Sequence, residues 1–193
     1  MNKIERAVQY ATEAHQGQKR KLSEMPYILH PLEAAAIVSR IMHDEDVVCA
    51  AILHDVVEDT GRSVSEIERL FGSRVAELVM SETENKRTNF PPASTWRVRK
   101  EETLAHLRET SDRAVKILWL ADKLSNMRSV YNAYLRRGDD IWQDFNEKDK
   151  EKQRWYYESV AAALAEECKG TAAFEEYEKI IELVFGKTEK RDK

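Results

Sequence analysis

Apolar residues recur along this chain at three- and four-residue spacing, the pattern of amphipathic helices. Ile4, Ala7, Val8, Ala11 and Ala14 predict a helix over 3–15, ended by Gly17. Pro31 suits the first turn of a second helix, with Leu32, Ala35, Ile37, Val38 and Ile41 facing inward and His30 just before its start. Asp44 reads as the cap of a third helix that runs on to Gly61. Ser63-Val64-Ser65-Glu66 is a capping box ahead of Ile67, Leu70 and Phe71, with Gly72 ending that short helix. A fifth helix is expected at about 74–80, then a polar loop over 82–93 with Pro91 and Pro92, the least ordered stretch expected and a candidate lid. Further helices are expected at about 95–108, 113–134, 148–168 and 172–185, with Arg137-Gly138-Asp139-Asp140 as a break. There is no internal repeat, low-complexity tract or credible strand. The expectation is an all-α bundle of eight or nine helices, one domain over 1–186, with a charged tail at 187–193.

The 193 residues suffice for one domain with a full core. With 42% hydrophobic and 34% charged residues, a soluble helix-rich protein is favoured over a disordered chain. A net charge of −4 argues against broad nucleic-acid binding, although a local basic patch stays open. Cys49 and Cys168 are too few and too far apart for a disulfide framework, which points to a reducing compartment. The N-terminus opens directly into a helix, and no apolar run approaches a membrane span. A cytoplasmic domain follows as the expectation. Apolar residues on the last two helices leave a homodimer open.

Chemistry gathers at Cys49–Thr60, an apolar helix that then carries His54, Asp55, Glu58 and Asp59. At about 100° per residue these four share one side of the helix. No Lys or Arg lies between Glu45 and Gly61, and three carboxylates beside an imidazole repel one another unless a cation sits among them. His54-Asp55 therefore suits a divalent metal such as Mn²⁺, Fe²⁺, Co²⁺ or Zn²⁺; the alternative is a helix end whose acids face solvent. A second informative run, Ala114–Ser129, reads as a buried segment that Asp122 interrupts. A carboxylate there costs several kcal/mol unless paired or metal-bound. Asn126 and Ser129 follow Asp122 on one stripe.

Five motifs occur in order: His-x-Gly-Gln-x-Arg-Lys (15–21), Pro-Tyr-Ile-x-His-Pro (26–31), Leu-His-Asp-Val-Val-Glu-Asp-Thr (53–60), Phe-Gly (71–72) and Leu-Ala-Asp-Lys-Leu-x-Asn-Met-Arg (120–128). Together they resemble the HD-domain metal-dependent phosphohydrolases, specifically the (p)ppGpp hydrolase domain of RelA/SpoT proteins and the stand-alone small alarmone hydrolases. The resemblance covers about 2–128 by motif. It implies a compact helical HD-domain bundle and a Mn²⁺ ion held by His30, His54, Asp55 and Asp122. Glu58 and Asp59 would handle protons or the attacking water. Arg20 and Lys21 would contact the guanine end of the substrate, and Asn126 the nucleotide near its ribose, with Ser129 a weaker candidate. The implied reaction is hydrolysis of the 3′-pyrophosphate of ppGpp or pppGpp to GDP or GTP plus pyrophosphate. Alternatives are an HD phosphohydrolase acting on another nucleotide, such as NADPH or a nucleoside phosphate, and a nucleotide-binding module without turnover.

Other residues read more plainly. His15 orders the helix end, His43 and His106 lie on the surface, and Trp119, Trp155, Tyr156 and Tyr157 pack. Arg99 and Lys100 either steer an anionic substrate or form a solvated helix face. Two departures stand out: the loop after Lys21 lacks the glycine this turn often carries in the family, and Lys123 and Ser125 replace its common Arg and His, off the ligand stripe.

Overall fold

A computed structural model describes residues 1–87 and 89–186; the expected charged tail at 187–193 lies outside the described residues. Ten α-helical segments run in order: α1 Lys3–Ala14, α2 Leu29–Ile41, α3 Glu45–Leu53, α4 Val56–Asp59, α5 Val64–Phe71, α6 Ser73–Glu82, α7 Pro92–Glu109, α8 Arg113–Arg137, α9 Lys150–Cys168 and α10 Ala172–Phe185. A 3₁₀ turn at Gly138–Asp144 joins α8 to α9. The one β contact among the described residues is an isolated bridge, Lys19 to Pro26. The all-α expectation holds.

Local chemistry sets most boundaries. Asn2 and Ser63 form capping boxes with Glu5 and Glu66. Asp44, Asp112, Asp149 and Thr171 cap α3, α8, α9 and α10 through side-chain oxygens. Gly72 takes φ +94° between α5 and α6, a conformation a side chain would strain.

The structure corrects the sequence reading in two places. The third helix does not run to Gly61; it ends at Leu53, and His54 and Asp55 form a break before the single turn α4. His30 does not precede its helix but lies in the first turn of α2. Both shifts turn ligand-type side chains toward the interior.

α8 runs through the middle of the molecule. α2, α3 and α6 pack on it together with α9 and α10, and it is buried nearly all round from Ala114 to Met127. That explains why its sequence shows no polar face. One hydrophobic cluster extends from Ala7 in α1 to Phe185 in α10. No described helix is long and apolar enough to cross a membrane, and Cys49 and Cys168 are free and buried. His43 and His106 are exposed. Among the large exposed apolar side chains of the described residues, Leu183 alone lies on α9 or α10.

Candidate metal and nucleotide site

The break after α3, the first turn of α2 and the middle of α8 bring four predicted ligands to one point. His30 Nε2 lies 3.0 Å from Asp122 Oδ1 and 3.5 Å from Asp55 Oδ2, while His54 Nε2 lies 3.1 Å from Asp55 Oδ2 and 3.7 Å from Asp122 Oδ1. The two ring nitrogens face each other at 3.3 Å.

Their outer bonds fix which way the lone pairs point. His54 Nδ1 meets the Ala51 carbonyl at 2.8 Å, and a carbonyl only accepts, so Nδ1 carries a proton. His30 Nδ1 meets the Ser125 hydroxyl at 2.8 Å. Two imidazole nitrogens and two carboxylates converge, a set that needs a cation between them. Burial alone would lower the pKa of His54, but Asp55 and Asp122 outweigh it and push the imidazole well above its ordinary value. Burial would likewise raise Asp122, yet Lys123 and both histidines hold it well below the carboxylate range. The site has the charge of a cation centre, and its mixed N/O donors fit a divalent transition ion. His30, His54 and Asp122 offer ligand atoms all within 4.8 Å of one another.

Glu58 and Asp59 follow on α4, at the rim of the same cavity. Glu58 accepts from the Glu84 backbone N–H at 2.9 Å. Burial raises its pKa, with Asp55 adding to the shift while the Glu84 bond and Lys86 oppose it. Asp59 pairs with Lys86 and accepts from the Tyr27 hydroxyl at 3.2 Å. That hydroxyl also reaches Asp55 Oδ2 at 2.6 Å, so Tyr27 ties Asp55, an expected ligand, to Asp59, an expected proton-handling group.

The four predicted substrate residues meet around a neighbouring cavity. Arg20 Nη2 donates to Asn126 Oδ1 at 3.0 Å and to Ser129 Oγ at 3.2 Å, and Asn126 Nδ2 donates to Asp122 Oδ1 at 2.6 Å. Lys21 Nζ lies 5.3 Å from the centre of the Phe145 ring. This cavity, of 260 Å³, is bounded by Arg20, Lys21, Tyr27, Asn126, Phe145 and Tyr157 among others. The acidic cavity beside it, of 200 Å³, shares Tyr27 and Asn126 with it. The turn that carries Arg20 closes without glycine because Glu24 itself takes φ +57°, at about 1 kcal/mol of strain. Arg20 N–H to Met25 and Glu24 N–H to Arg20 then fasten the turn at 2.8 and 3.1 Å. His15, buried, bonds Gln18 at 2.8 Å and stacks near Tyr27, so it orders this segment.

The sequence reading gave no role to several residues found here. Lys123 and Ser125, set aside as lying off the ligand stripe, both touch expected ligands: Lys123 pairs with Asp122 and Ser125 with His30. Tyr27 was visible inside a motif, three residues before His30. Glu82 closes the buried face of α6 and lines the acidic cavity with both oxygens unbonded. An acid continuing the apolar stripe Val75, Leu78, Val79 was the available signal. Arg99 and Lys100 also line this cavity, each bonded to Glu84.

The HD domain family model matches residues 7–149. A guanosine-3′,5′-bis(diphosphate) 3′-pyrophosphohydrolase of Aquifex aeolicus is 37% identical over 128 residues, 66% of this chain and 18% of the relative. A GTP pyrophosphokinase of Streptomyces coelicolor is 32% identical over 204 residues, 100% of this chain and 22% of the relative. The chain thus spans about a fifth of the length of these curated relatives. A solved structure of a metazoan ortholog of SpoT, described as hydrolyzing ppGpp, aligns with a TM-score of 0.74 at 28% identity, covering 95% of this chain and 96% of the other. On its fold, its His-Asp motifs and the extent of the match, this chain belongs to the HD domain family.

Proposed function

We propose that the chain is a Mn²⁺-dependent hydrolase of the 3′-pyrophosphate of ppGpp and pppGpp, yielding GDP or GTP and pyrophosphate in the cytoplasm. The observation that carries this reading is a pair of adjacent cavities. One is acidic and ligand-rich, the other aromatic and basic, and Tyr27 and Asn126 form their common wall. A guanine nucleoside fits the second, with a 3′-phosphate chain reaching into the first. The relatives' names and the metazoan structure support the same substrate.

His30, His54, Asp55 and Asp122 would hold a divalent ion, which would supply Lewis-acid polarisation of a phosphate oxygen and a lowered pKa for water. Glu58 takes the proton of the attacking water; its burial moves the carboxyl toward the working pH a general base needs. Asp59, held by Lys86 and Tyr27, orients that water. The water oxygen joins the phosphorus, the bond from phosphorus to the 3′-oxygen breaks, and that oxygen regains a proton. Arg99, Lys100 and Lys123 line the same cavity and offset charge on the departing pyrophosphate. Arg20 and Lys21 present cations to the nucleoside end, beside Asn126 and Ser129.

The test is pyrophosphate release from ppGpp by EDTA-treated protein with and without added Mn²⁺, beside NADPH and GTP. Release from ppGpp that requires Mn²⁺ is expected. Glu58→Ala should keep Mn²⁺ binding and lose most turnover, whereas Asp122→Ala should lose both. Hydrolysis of NADPH alone would replace the substrate, and full activity in either variant would overturn the residue assignment.

A further inference from the structure

The ring of His30 is oriented from outside its own helix. Its Nδ1 lies 2.8 Å from Ser125 Oγ on α8, and that hydroxyl donates to Glu33 Oε2 on α2 at 2.7 Å. The other Glu33 oxygen accepts from Arg128 Nη1 at 2.9 Å. Arg128 spends its remaining face on Glu176 of α10, at 2.7 and 2.6 Å. Ser125 is fully buried, so this chain of bonds is shielded from water where it meets the imidazole.

The direction of the chain follows from what each group can do. A guanidinium only donates and a carboxylate only accepts. The single hydroxyl proton of Ser125 therefore goes to Glu33, which leaves the serine lone pairs for an N–H on His30 Nδ1. His30 Nε2 is then the atom with the free lone pair, aimed at His54 and Asp122. His54 reaches the same tautomer through a backbone carbonyl one turn back. The backbone secures one histidine; three side chains secure the other.

We propose that Ser125 and Glu33 are positioning residues that hold His30 in its metal-binding tautomer, with Arg128 setting the polarity of the chain. The inference rests on the reading of His30 as a ligand. Glu33→Gln is its sharpest probe. Arg128 would draw the amide oxygen toward itself, leaving the amide NH₂ to face Ser125. The serine would then donate to His30 Nδ1, and the imidazole proton would move to Nε2, where it blocks coordination. Removing Arg128 as well frees the amide to turn its oxygen back toward Ser125.

The experiment is Mn²⁺ titration by calorimetry on the intact chain, with circular dichroism to confirm folding. Ser125→Ala and Glu33→Gln should weaken Mn²⁺ binding roughly tenfold or more, the scale of such outer partners. Ser125→Thr, which keeps the hydroxyl, should bind nearly as the parent does. Glu33→Gln combined with Arg128→Met should recover much of the loss, which a purely packing role would not produce. Unchanged affinity in Ser125→Ala and Glu33→Gln, or a double variant weaker than Glu33→Gln alone, would overturn the relay. A folded parent that binds no Mn²⁺ would overturn the ligand reading itself, and the relay with it.

Discussion

Glu82 ends α6 with both carboxylate oxygens buried and without a hydrogen-bond partner among the described residues, and burial, reinforced by Asp122, raises its pKa to about 8. The folded chain thus holds this proton more tightly than the unfolded chain, whose carboxyl keeps an ordinary value near 4.5. The linked stability is fully present below the unfolded value and is lost as pH rises through the folded one. Between about pH 5 and about pH 8.5 the stability of EDTA-treated protein should therefore drop by an amount on the order of a few kcal/mol, and its thermal midpoint should fall with it. In Glu82→Gln the fall should be shallower and the midpoint at about pH 8 higher, since an amide carries no charge to bury. Equal slopes in the two proteins would show that Glu82 is solvated. The sequence announced Asp122 because it interrupts a long apolar run, but Glu82 stands at the end of a shorter one, where an acid reads as a boundary. Ser125 was harder still, since a small hydroxyl inside a helix gives no sign of what it bonds across the fold. That the candidate ligands and the Arg20 group would come together was legible because motif order named them, whereas their supporting partners come from distant positions and show only in three dimensions.

Helix limits were legible wherever chemistry is local. The capping box at Ser63, the Asp44 cap and the whole of α10 lie where the sequence put them. The break at His54-Asp55 was not legible, because its cause is tertiary: both side chains turn toward groups on α2 and α8. The loop after α6 shows the same limit. Read as a polar loop and candidate lid, it is fastened at its start through Glu84, whose backbone N–H donates to Glu58 and whose carboxylate accepts from Arg99 at 2.8 Å, Lys100 at 2.6 Å and Thr103 at 3.2 Å. The two cations sit midway along α7 and read in the sequence as a possible solvated face, yet their side chains are only 11% and 16% exposed. Burial alone lowers the pKa of Lys100, and Glu84 opposes that shift. Glu84→Gln would leave two shielded cations without their counter-charge. With a discount for residual solvent, the cost should be about 2–3 kcal/mol, or roughly 4–12 °C in thermal midpoint for a chain of this size. Calorimetric melting checks this, and a shift under about 1 °C would mean that the pair is screened.

At the scale of the whole molecule, the motifs and the matched family model end before α9, at residue 149, but the packing does not. α10 buries Phe174, Tyr177, Ile180, Ile181, Val184 and Phe185, chiefly against α8 and α9, and the Tyr177 hydroxyl donates to the Tyr157 carbonyl at 3.2 Å. Phe185 stacks on Trp142, 5.3 Å between ring centres, and so holds the 3₁₀ turn that leads to Phe145 at the cavity beside Arg20. Each large apolar side chain buried there contributes about 1.5–3 kcal/mol, so the six together rival the 5–15 kcal/mol that typically separates folded from unfolded. α8 carries Asp122 and Asn126 on one face and supports α10 on another, which couples the site to the end of the chain through a single rod. A chain stopped at Gly170 should therefore show no cooperative urea transition and no Mn²⁺ binding, although it retains every motif. The full chain should unfold in one transition whose midpoint rises with Mn²⁺, as mass action requires of any ion that binds only the folded state. Cooperative unfolding and metal binding in the shortened chain would show that the motif-bearing helices suffice and that α10 is an appendage. Two separate transitions in the full chain would divide what the packing presents as one folding unit.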